Sequence, residues 1–356
     1  MLGKANVETI VLERAAAITP SWRARYDGFR LNTSRWFSYL PGQRFAPNVN
    51  RWPARDELVA YYEQYTQDNR IQIKLDTTAR SIGHAPDGWR IETSTGALEA
   101  PAVVIATGKY NKPTIPPWPG QQTFDGEITH SSVYRNAHPY REKRVLVVGP
   151  GASGFEIATQ IASGGGSEVW LSIRTPPHIV HRDIGPLPSD LFAVLSRRLP
   201  VGLVDWVGER VRRATIGDLT GYGLQPPPDG IYTRVRKTGM IPTVDGPYVD
   251  AIKQGLVKVV PAVESLDRRT VRLADGSLIE PDAVIAATGY ERNLEPLVGH
   301  LGVLTQDGHP AAHGDRPHPA APDIYFTGFT EPFSGNLREL RLDARKIARA
   351  ITIHQK

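Results

Sequence analysis

Residues 124–154, FDGEITHSSVYRNAHPYREKRVLVVGPGASG, carry the strongest signal in the sequence. A short apolar run, Val145 to Val148, precedes the turn Gly149-Pro150-Gly151-Ala152-Ser153-Gly154, and residues 155–158 begin like a helix. Strand, glycine turn and helix in this order are what the G-x-G-x-x-G dinucleotide fingerprint requires. Its first glycine permits the turn, its second lets backbone N–H groups approach a pyrophosphate, and its third lets the helix pack on the strand. The stretch therefore predicts a Rossmann-type site with phosphates at the positive end of the helix dipole.

The residue after the next predicted strand indicates which dinucleotide binds. That strand, residues 168–173, is followed by Arg174, about where a Rossmann unit has the side chain that meets the adenosine ribose. An acidic residue there favours NAD, whereas arginine suits the extra 2′-phosphate of NADP. We therefore expect NADPH to bind here. The alternative is that Arg174 is only a solvated strand end.

Composition limits the class of protein and its partners. The chain has 356 residues, enough for two domains, and 40% of them are hydrophobic, with no apolar run near the roughly 18 residues of a membrane span. Its net charge of +5 comes from dispersed arginines, which is compatible with a preference for small anionic molecules and gives no reason to expect a nucleic-acid or membrane partner. The N-terminus lacks the pattern of a secretory signal, so we expect a cytoplasmic protein.

The chain contains no cysteine. Disulfides, zinc–thiolate sites, iron–sulfur clusters and redox dithiols are therefore excluded, and any redox chemistry must belong to a bound cofactor. Two histidine groups, His178 with His181 and His309 with His313 and His318, lie in predicted loops that would not aim the rings at one ion, so no metal site is expected. No G-x-S-x-G elbow supports a hydrolase.

Two distant segments have the same sequence pattern, an apolar strand followed by Ala-Thr-Gly. They are residues 102–108, ending in Thr107-Gly108, and residues 283–290, containing Thr288-Gly289. This repeat suggests two nucleotide-binding folds of similar design.

The remaining pattern fills in the architecture around these turns. Residues 7–13 predict a buried parallel strand that ends in Glu13. Residues 113–120 predict a Pro/Gly linker, and residues 185–230 predict a mostly helical insertion. Further predicted elements are helices at 53–69 and from Asn336 onward, and strands at 71–75, 89–93, 257–260, 270–273 and 324–327.

The segment before the glycine turn resembles a known fingerprint. Phe124-x-Gly126-x-x-x-His130-x-x-x-Tyr134 is similar to that of the class B flavoprotein monooxygenases, which include flavin-containing, Baeyer–Villiger and YUCCA-like enzymes. Its ending in Tyr134-Arg135, where Baeyer–Villiger enzymes usually have Trp, is more similar to the first or third type. The resemblance covers nearly the whole chain, and only residues 185–230 and 300–322 match loosely.

The resemblance implies a fold, two cofactors and an activity. Together with the repeat it predicts an α/β protein of two Rossmann-like dinucleotide-binding domains (three-layer ββα type), the NADP domain inserted into the FAD domain. The FAD domain would comprise residues 1–138 and 290–356, and the NADP domain residues 139–289. Such enzymes use NADPH to reduce FAD, form a flavin C4a-(hydro)peroxide with O₂ and transfer one oxygen atom to a small organic substrate, namely an N or S nucleophile, a ketone or a 2-oxo acid such as an indolic pyruvate.

The resemblance also implies roles for particular residues. Asn32 matches an active-site asparagine whose amide can donate a hydrogen bond without supplying an acidic proton; the alternative is a loop asparagine that caps its own turn. His130 would couple the two domains and lie near the cofactors. The residues implied to contact FAD or to line the junction are Glu13, Arg14, Trp22, Thr107, Gly108, Thr288, Gly289, Gly328 and Gly335. Backbone N–H groups near Asn336 and Leu337 would face the flavin N1–C2=O edge and stabilise the charge of reduced flavin.

One departure from the family pattern keeps alternatives open. The family's first glycine loop, which holds the FAD pyrophosphate, has no counterpart before Glu13. We expect either a start upstream of Met1 or weakened flavin affinity, with an unpaired position at the centre of the first sheet. The alternative functions are a non-catalytic NADP(H)-binding protein and a flavin-dependent NADPH reductase that does not oxygenate.

Overall fold

The computed structural model describes residues 1–354, apart from the side chains of Lys4 and His354. It is an α/β structure of the Rossmann type. Its α-helices are α1 (Pro20–Arg23), α2 (Arg55–Asp68), α3 (Ala152–Ser163), α4 (Ser189–Ser196), α5 (Val201–Thr215), α6 (Ile231–Thr238), α7 (Tyr248–Lys253), α8 (Glu295–Val298) and α9 (Asn336–His354).

The strands fall into two long stretches of the chain separated by the glycine turn. Before it lie β1 (Ile10–Leu12), β2 (Gln72–Lys74), β3 (Ala79–Ala85), β4 (Gly88–Thr93), β5 (Gly96–Ala100), β6 (Val103–Ile105), β7 (Lys112–Pro113), β8 (Glu127–His130) and β9 (Arg144–Val148). After it lie β10 (Glu168–Ser172), β11 (Ile179–His181), β12 (Asp183–Ile184), β13 (Leu187–Pro188), β14 (Thr243–Asp245), β15 (Lys258–Val260), β16 (Val263–Asp267), β17 (Thr270–Leu273), β18 (Leu278–Ile279), β19 (Ala283–Ala286), β20 (Tyr290–Glu291) and β21 (Ile324–Phe326).

The largest sheet is parallel and has the order β15-β10-β9-β19-β8. Its central strands β9 and β19 are buried on both faces, which explains why their sequences are continuous apolar runs rather than alternating ones. Gly149 follows β9 and Thr288 follows the neighbouring strand β19. Since the carboxyl ends of parallel strands meet at one edge, two of the predicted turns lie side by side.

The first predicted strand is present, but its predicted burial is wrong. Ile10 and Val11 in β1 are 43% and 40% exposed. In the part of the chain that the structure describes, β1 pairs only with β2, and β6 pairs only with β21, so these four strands form two separate parallel pairs. Val104 in β6 is likewise 37% exposed, although this strand is apolar. An apolar strand is buried only when neighbours cover it, and no described strand lies between the pairs.

Two antiparallel sheets surround this framework. The sequence predicted β4, whose alternating residues Trp89, Ile91 and Thr93 are buried, but not its partners β3 and β5. A second sheet has the order β16-β17-β18, of which only β17 was predicted. Of the missed strands, β3, β5 and β16 are rich in polar and small residues, so their apolar periodicity is weak, and β18 has only two residues.

The helical insertion contains α4, α5 and α6 and extends to Thr238, beyond the predicted end at residue 230. Parallel pairing of β11 with β14 brings its two ends together. At the predicted linker, β7 pairs antiparallel with β20, so the two segments that connect the sheets run side by side. None of the described helices is both long and apolar enough to cross a membrane.

Candidate active site at the glycine turn and the Asn32 loop

Packing fixes two glycines of the G-x-G-x-x-G turn. Gly149 has φ 138°, and an added Cβ would lie 2.2 Å from the Ala287 carbonyl oxygen. At Gly154 a Cβ would lie 2.1 Å from the carbonyl oxygen of Gly149. Both positions therefore require glycine for the close approach of turn, helix and neighbouring strand.

The middle glycine faces open space. Gly151 is the N-cap of α3, and no described heavy atom lies within 4 Å of the place where its Cβ would stand. Ala152 and Ser153 form the first turn of α3 and are half-buried, and no side chain caps this end of the helix. N–H groups at the start of a helix without a cap bind anions. The turn therefore fits the pyrophosphate of NADP.

Arg174 stands beyond the carboxyl end of β10, the neighbour of β9. It is exposed and makes no ion pair with any residue within the described part of the chain. An exposed guanidinium next to the glycine turn fits the extra phosphate of NADP.

The Ala-Thr-Gly turns meet at the paired connecting segments. Gly108 and Gly289 have φ 76° and 91°, and the Thr288 hydroxyl donates to the carbonyl of Thr114. His130 Nδ1 accepts from the Ser132 N–H at 3.1 Å, so Nε2 carries the proton and donates to the Gly289 carbonyl at 3.0 Å. Thr107 is exposed.

Burial lowers the pKa of His130, and the ring stays neutral near pH 7. The contact with Gly289 attaches the fingerprint histidine to the second Ala-Thr-Gly turn.

The predicted FAD residues at and after the end of β1 make contacts with other residues of the chain. Glu13 accepts the N–H of Ala15 through one carboxylate oxygen at 2.9 Å. Arg14 donates to the Asn111 side chain at 3.3 Å, which joins the end of β1 to the segment after β6. Trp22 packs against Phe29, with ring centroids 5.8 Å apart.

The start of α9 lies against the loop that contains Asn32. Gly335 has φ 94°, and a Cβ there would lie 2.9 Å from the Thr33 methyl group. Asn336 begins α9 and Leu337 is buried in the core. Gly328, with φ 87°, follows β21 by two residues. The contact between Gly335 and Thr33 therefore brings the start of α9 beside the neighbour of Asn32.

Asn32 meets a residue that sequence reasoning missed. Arg182 donates from Nη2 to Asn32 Oδ1 at 3.1 Å and to Glu156 Oε1 at 3.4 Å. Glu156 lies on α3, one turn beyond the glycine turn, and also accepts from the Tyr248 hydroxyl at 2.6 Å. The only sequence signal for Glu156 was an acidic residue inside an otherwise apolar helix segment.

The histidine groups do not converge. His178 hydrogen-bonds through Nε2 to the Asp229 carbonyl at 2.8 Å, and His181 lies beside Asp245 and the Thr215 carbonyl. No cluster of three potential metal ligands occurs among the residues that the structure describes.

Comparison with known proteins decides the family. Residues 4–184 match the family profile described as pyridine nucleotide-disulphide oxidoreductase. The chain is 32% identical over 336 residues to indole-3-pyruvate monooxygenase YUCCA1 of Oryza sativa subsp. japonica, covering 93% of this chain and 82% of that protein. It is 30% identical over 357 residues to probable indole-3-pyruvate monooxygenase YUCCA9 of Arabidopsis thaliana, covering 97% and 83%.

The chain belongs to the class B flavoprotein monooxygenases. Its fold is that of the flavin-containing monooxygenase of Stenotrophomonas maltophilia, with a TM-score of 0.76, 22% identity and coverage of 100% and 94% of the two chains. A cyclohexanone monooxygenase has the same fold at a TM-score of 0.71 and 16% identity, covering 99% and 84%. The predicted family, α/β fold and FAD and NADPH cofactors are confirmed.

Class B monooxygenases act on small molecules with O₂, and bound FAD supplies their oxygen-activating chemistry. The residues of this chain fit the ribose and the ring of FAD. The residues around its predicted ribose and ring positions are present, from Glu13 to the start of α9. Residues 1–12 of the sequence contain a single glycine, Gly3. Thiol chemistry, which the family profile's name includes, is excluded by the absence of cysteine.

A buried ion pair in this monooxygenase lies beside the first Ala-Thr-Gly turn and was not predicted. Lys109 follows Gly108, is 6% exposed and contacts the Glu331 carboxylate. Its ammonium also donates to the Thr330 carbonyl at 3.3 Å. Burial lowers the pKa of Lys109, while the Glu331 charge opposes that shift. The pair connects the segment after β6 to the loop before α9.

Proposed function

We propose that this class B monooxygenase oxygenates a small 2-oxo acid, with an indolic pyruvate as the leading candidate. The relatives named as indole-3-pyruvate monooxygenases support this substrate class, since the chain aligns with them over nearly its whole length. A ketone, an amine and a sulfide are the other substrate classes to be tested.

The charge around Asn32 carries the proposal. Two guanidinium groups, those of Arg182 and Arg25, act on the same buried carboxyl of Glu156 and both lower its pKa. Arg182 also contacts Asn32. The Arg182 guanidinium is a cation at Asn32 itself that attracts a substrate carboxylate, whereas the buried carboxyl of Asp190 is already bonded to Ser34 in the same loop. A neutral ketone has no such attraction.

Each part of the chain has a proposed role in this reaction. Residues 149–154 and Arg174 hold NADPH, while Glu13 and its neighbours hold the FAD ribose. Asn32 donates hydrogen bonds from its amide at the reacting centre, and the N–H groups at the start of α9 face the flavin. The proposed division is an FAD domain of residues 1–138 and 290–356 and an NADP domain of residues 139–289.

The test is oxygen transfer measured with labelled gas. The protein is reconstituted with FAD and given NADPH and ¹⁸O₂ with indole-3-pyruvate, cyclohexanone or an organic sulfide. We expect NADPH consumption coupled to one labelled oxygen atom in the product of the 2-oxo acid, and weak coupling with the neutral substrates. Equal coupling with all three, or NADPH oxidation with no label in any product, contradicts the proposal.

We also propose that the protein acts in the cytoplasm without nucleic-acid or membrane partners. The dispersed positive charge supports this assignment. Cell fractionation that recovers the protein with the membrane pellet would refute it.

A further inference from the structure

Four side chains from distant parts of the sequence form one partly buried network. Asn32 accepts from Arg182, Arg182 donates to Glu156, and the Tyr248 hydroxyl donates to the same Glu156 oxygen, at 3.1, 3.4 and 2.6 Å. Glu156 is 5% and Tyr248 4% exposed. The network runs from the Asn32 loop to α3, which begins at the glycine turn, and to the first residue of α7.

Arg182 determines which way the Asn32 amide faces. A guanidinium group has only donors, so the Asn32 atom that meets it must be the carbonyl oxygen. The two N–H bonds of Asn32 Nδ2 therefore point away from Arg182 and are the donors left for a ligand. Without Arg182, rotation about the last torsion would exchange oxygen and nitrogen, because that torsion is nearly two-fold.

Glu156 in turn determines where the Arg182 guanidinium lies. Both side-chain hydrogen bonds of Arg182 come from Nη2, and among the described residues Nε has no acceptor. The guanidinium also lies 5.9 Å from the Trp52 ring centroid. One nitrogen is shared between Asn32 and Glu156, and the charge on Glu156 holds it beside Asn32. Protonation of Glu156 weakens that charge-assisted contact and lets the guanidinium shift relative to Asn32.

Resting on the proposed function, we infer that Arg182, held by Glu156, is a positioning residue that fixes the Asn32 amide with its N–H groups toward the reacting centre. Charge on Glu156 then controls the orientation of Asn32. The ionisable groups that face Glu156 are Tyr248 from α7, Arg182 from the segment after β11, and Arg25 from the segment after α1.

The inference predicts a pH response. Burial raises the pKa of Glu156 to about 7, although Tyr248, Arg182 and Arg25 all lower it. The carboxylate that holds Arg182 is therefore lost as the pH falls through about 7. Asn32 should sense that change even when no cofactor is bound.

The first experiment uses side-chain amide resonances of the ¹⁵N-labelled full chain without cofactor. The Asn32 signal is assigned as the cross-peak that the Asn32→Ala variant lacks. We expect it to shift between about pH 6 and 8 in the native chain. In Glu156→Gln and Arg182→Met it should stay constant. A signal that does not move, or that moves equally in Glu156→Gln, overturns the inference.

The second experiment is a double-mutant cycle on turnover with NADPH and the oxygenated substrate. Arg182→Met should lower kcat by about tenfold in the native background and by less than about twofold in the Asn32→Ala background, because an effect carried by Asn32 cannot appear twice. Equal losses in both backgrounds overturn the inference. Arg51→Met is the matched control, since Arg51 bonds to Asp183 at 2.8 Å and, among the described residues, makes no hydrogen bond or ion pair with Asn32.

Failures of the two proposals are distinguishable. If the Asn32 signal titrates through Glu156 and Arg182 but no 2-oxo acid is oxygenated, the proposed function is refuted and the network stands. If Arg182→Met does not fold, Arg182→Lys and Glu156→Gln supply the same comparison, because each keeps a similar volume while changing the hydrogen bonding.

Discussion

The glycine turn allows a test that separates binding from folding within one loop. Gly151→Ala puts a methyl group into open space, since nothing described lies within 4 Å, and its φ of −82° suits alanine. Gly154→Ala puts the methyl group 2.1 Å from the Gly149 carbonyl oxygen. The first substitution should affect only the nucleotide, and the second only the protein.

The magnitudes follow from these contacts. At residue 151 a pyrophosphate would lose one charge-assisted hydrogen bond of about 1.5–3 kcal/mol, which corresponds to about a 10- to 100-fold higher Kd for NADPH. At residue 154 the helix must move off the strand, which costs roughly 1–3 kcal/mol and lowers Tm by roughly 5 °C.

The assays are isothermal titration with NADPH and thermal unfolding of both variants. Each variant is the control for the other. If Gly151→Ala binds NADPH like the native chain, the turn does not hold the phosphates. If Gly154→Ala unfolds at the native temperature, the packing of α3 on β9 is not what the distances indicate.

Three further predictions follow from other parts of the structure. Arg174→Ala should raise KM for NADPH by about 10- to 100-fold and leave KM for NADH nearly unchanged; equal effects on both would show that Arg174 does not meet the 2′-phosphate. Burial lowers the pKa of His130, so protonation of this ring favours the unfolded chain. As the pH falls below about 6.5, the Tm of the native protein should therefore fall more than the Tm of His130→Gln, which a series of thermal unfolding curves against pH would measure. Lys109→Met should lower the free energy of unfolding by about 1–3 kcal/mol in chemical denaturation, because it leaves the Glu331 carboxylate without its cation, whereas Lys112→Met, in an exposed pair, should lower it by less than about 1 kcal/mol; similar losses would contradict this.

The strands show why sequence reasoning reached some elements and not others. β9 and β19 were predicted because strands covered on both faces have continuous apolar sequences. β3 and β5 were missed because antiparallel strands with small and polar residues gain their structure from β4, a partner that periodicity does not show. The assigned domain boundaries and site residues remain predictions.

The sequence by itself determined the glycine turn and the α/β class and predicted the nucleotide of that turn, because glycine spacing and apolar periodicity act within a few neighbouring residues. Only the tertiary structure decided that Arg182 meets both Asn32 and Glu156, and that Ile10 and Val11 are exposed. A contact across 150 positions and the burial of a strand both depend on which distant segments fold against each other, and no local pattern encodes that.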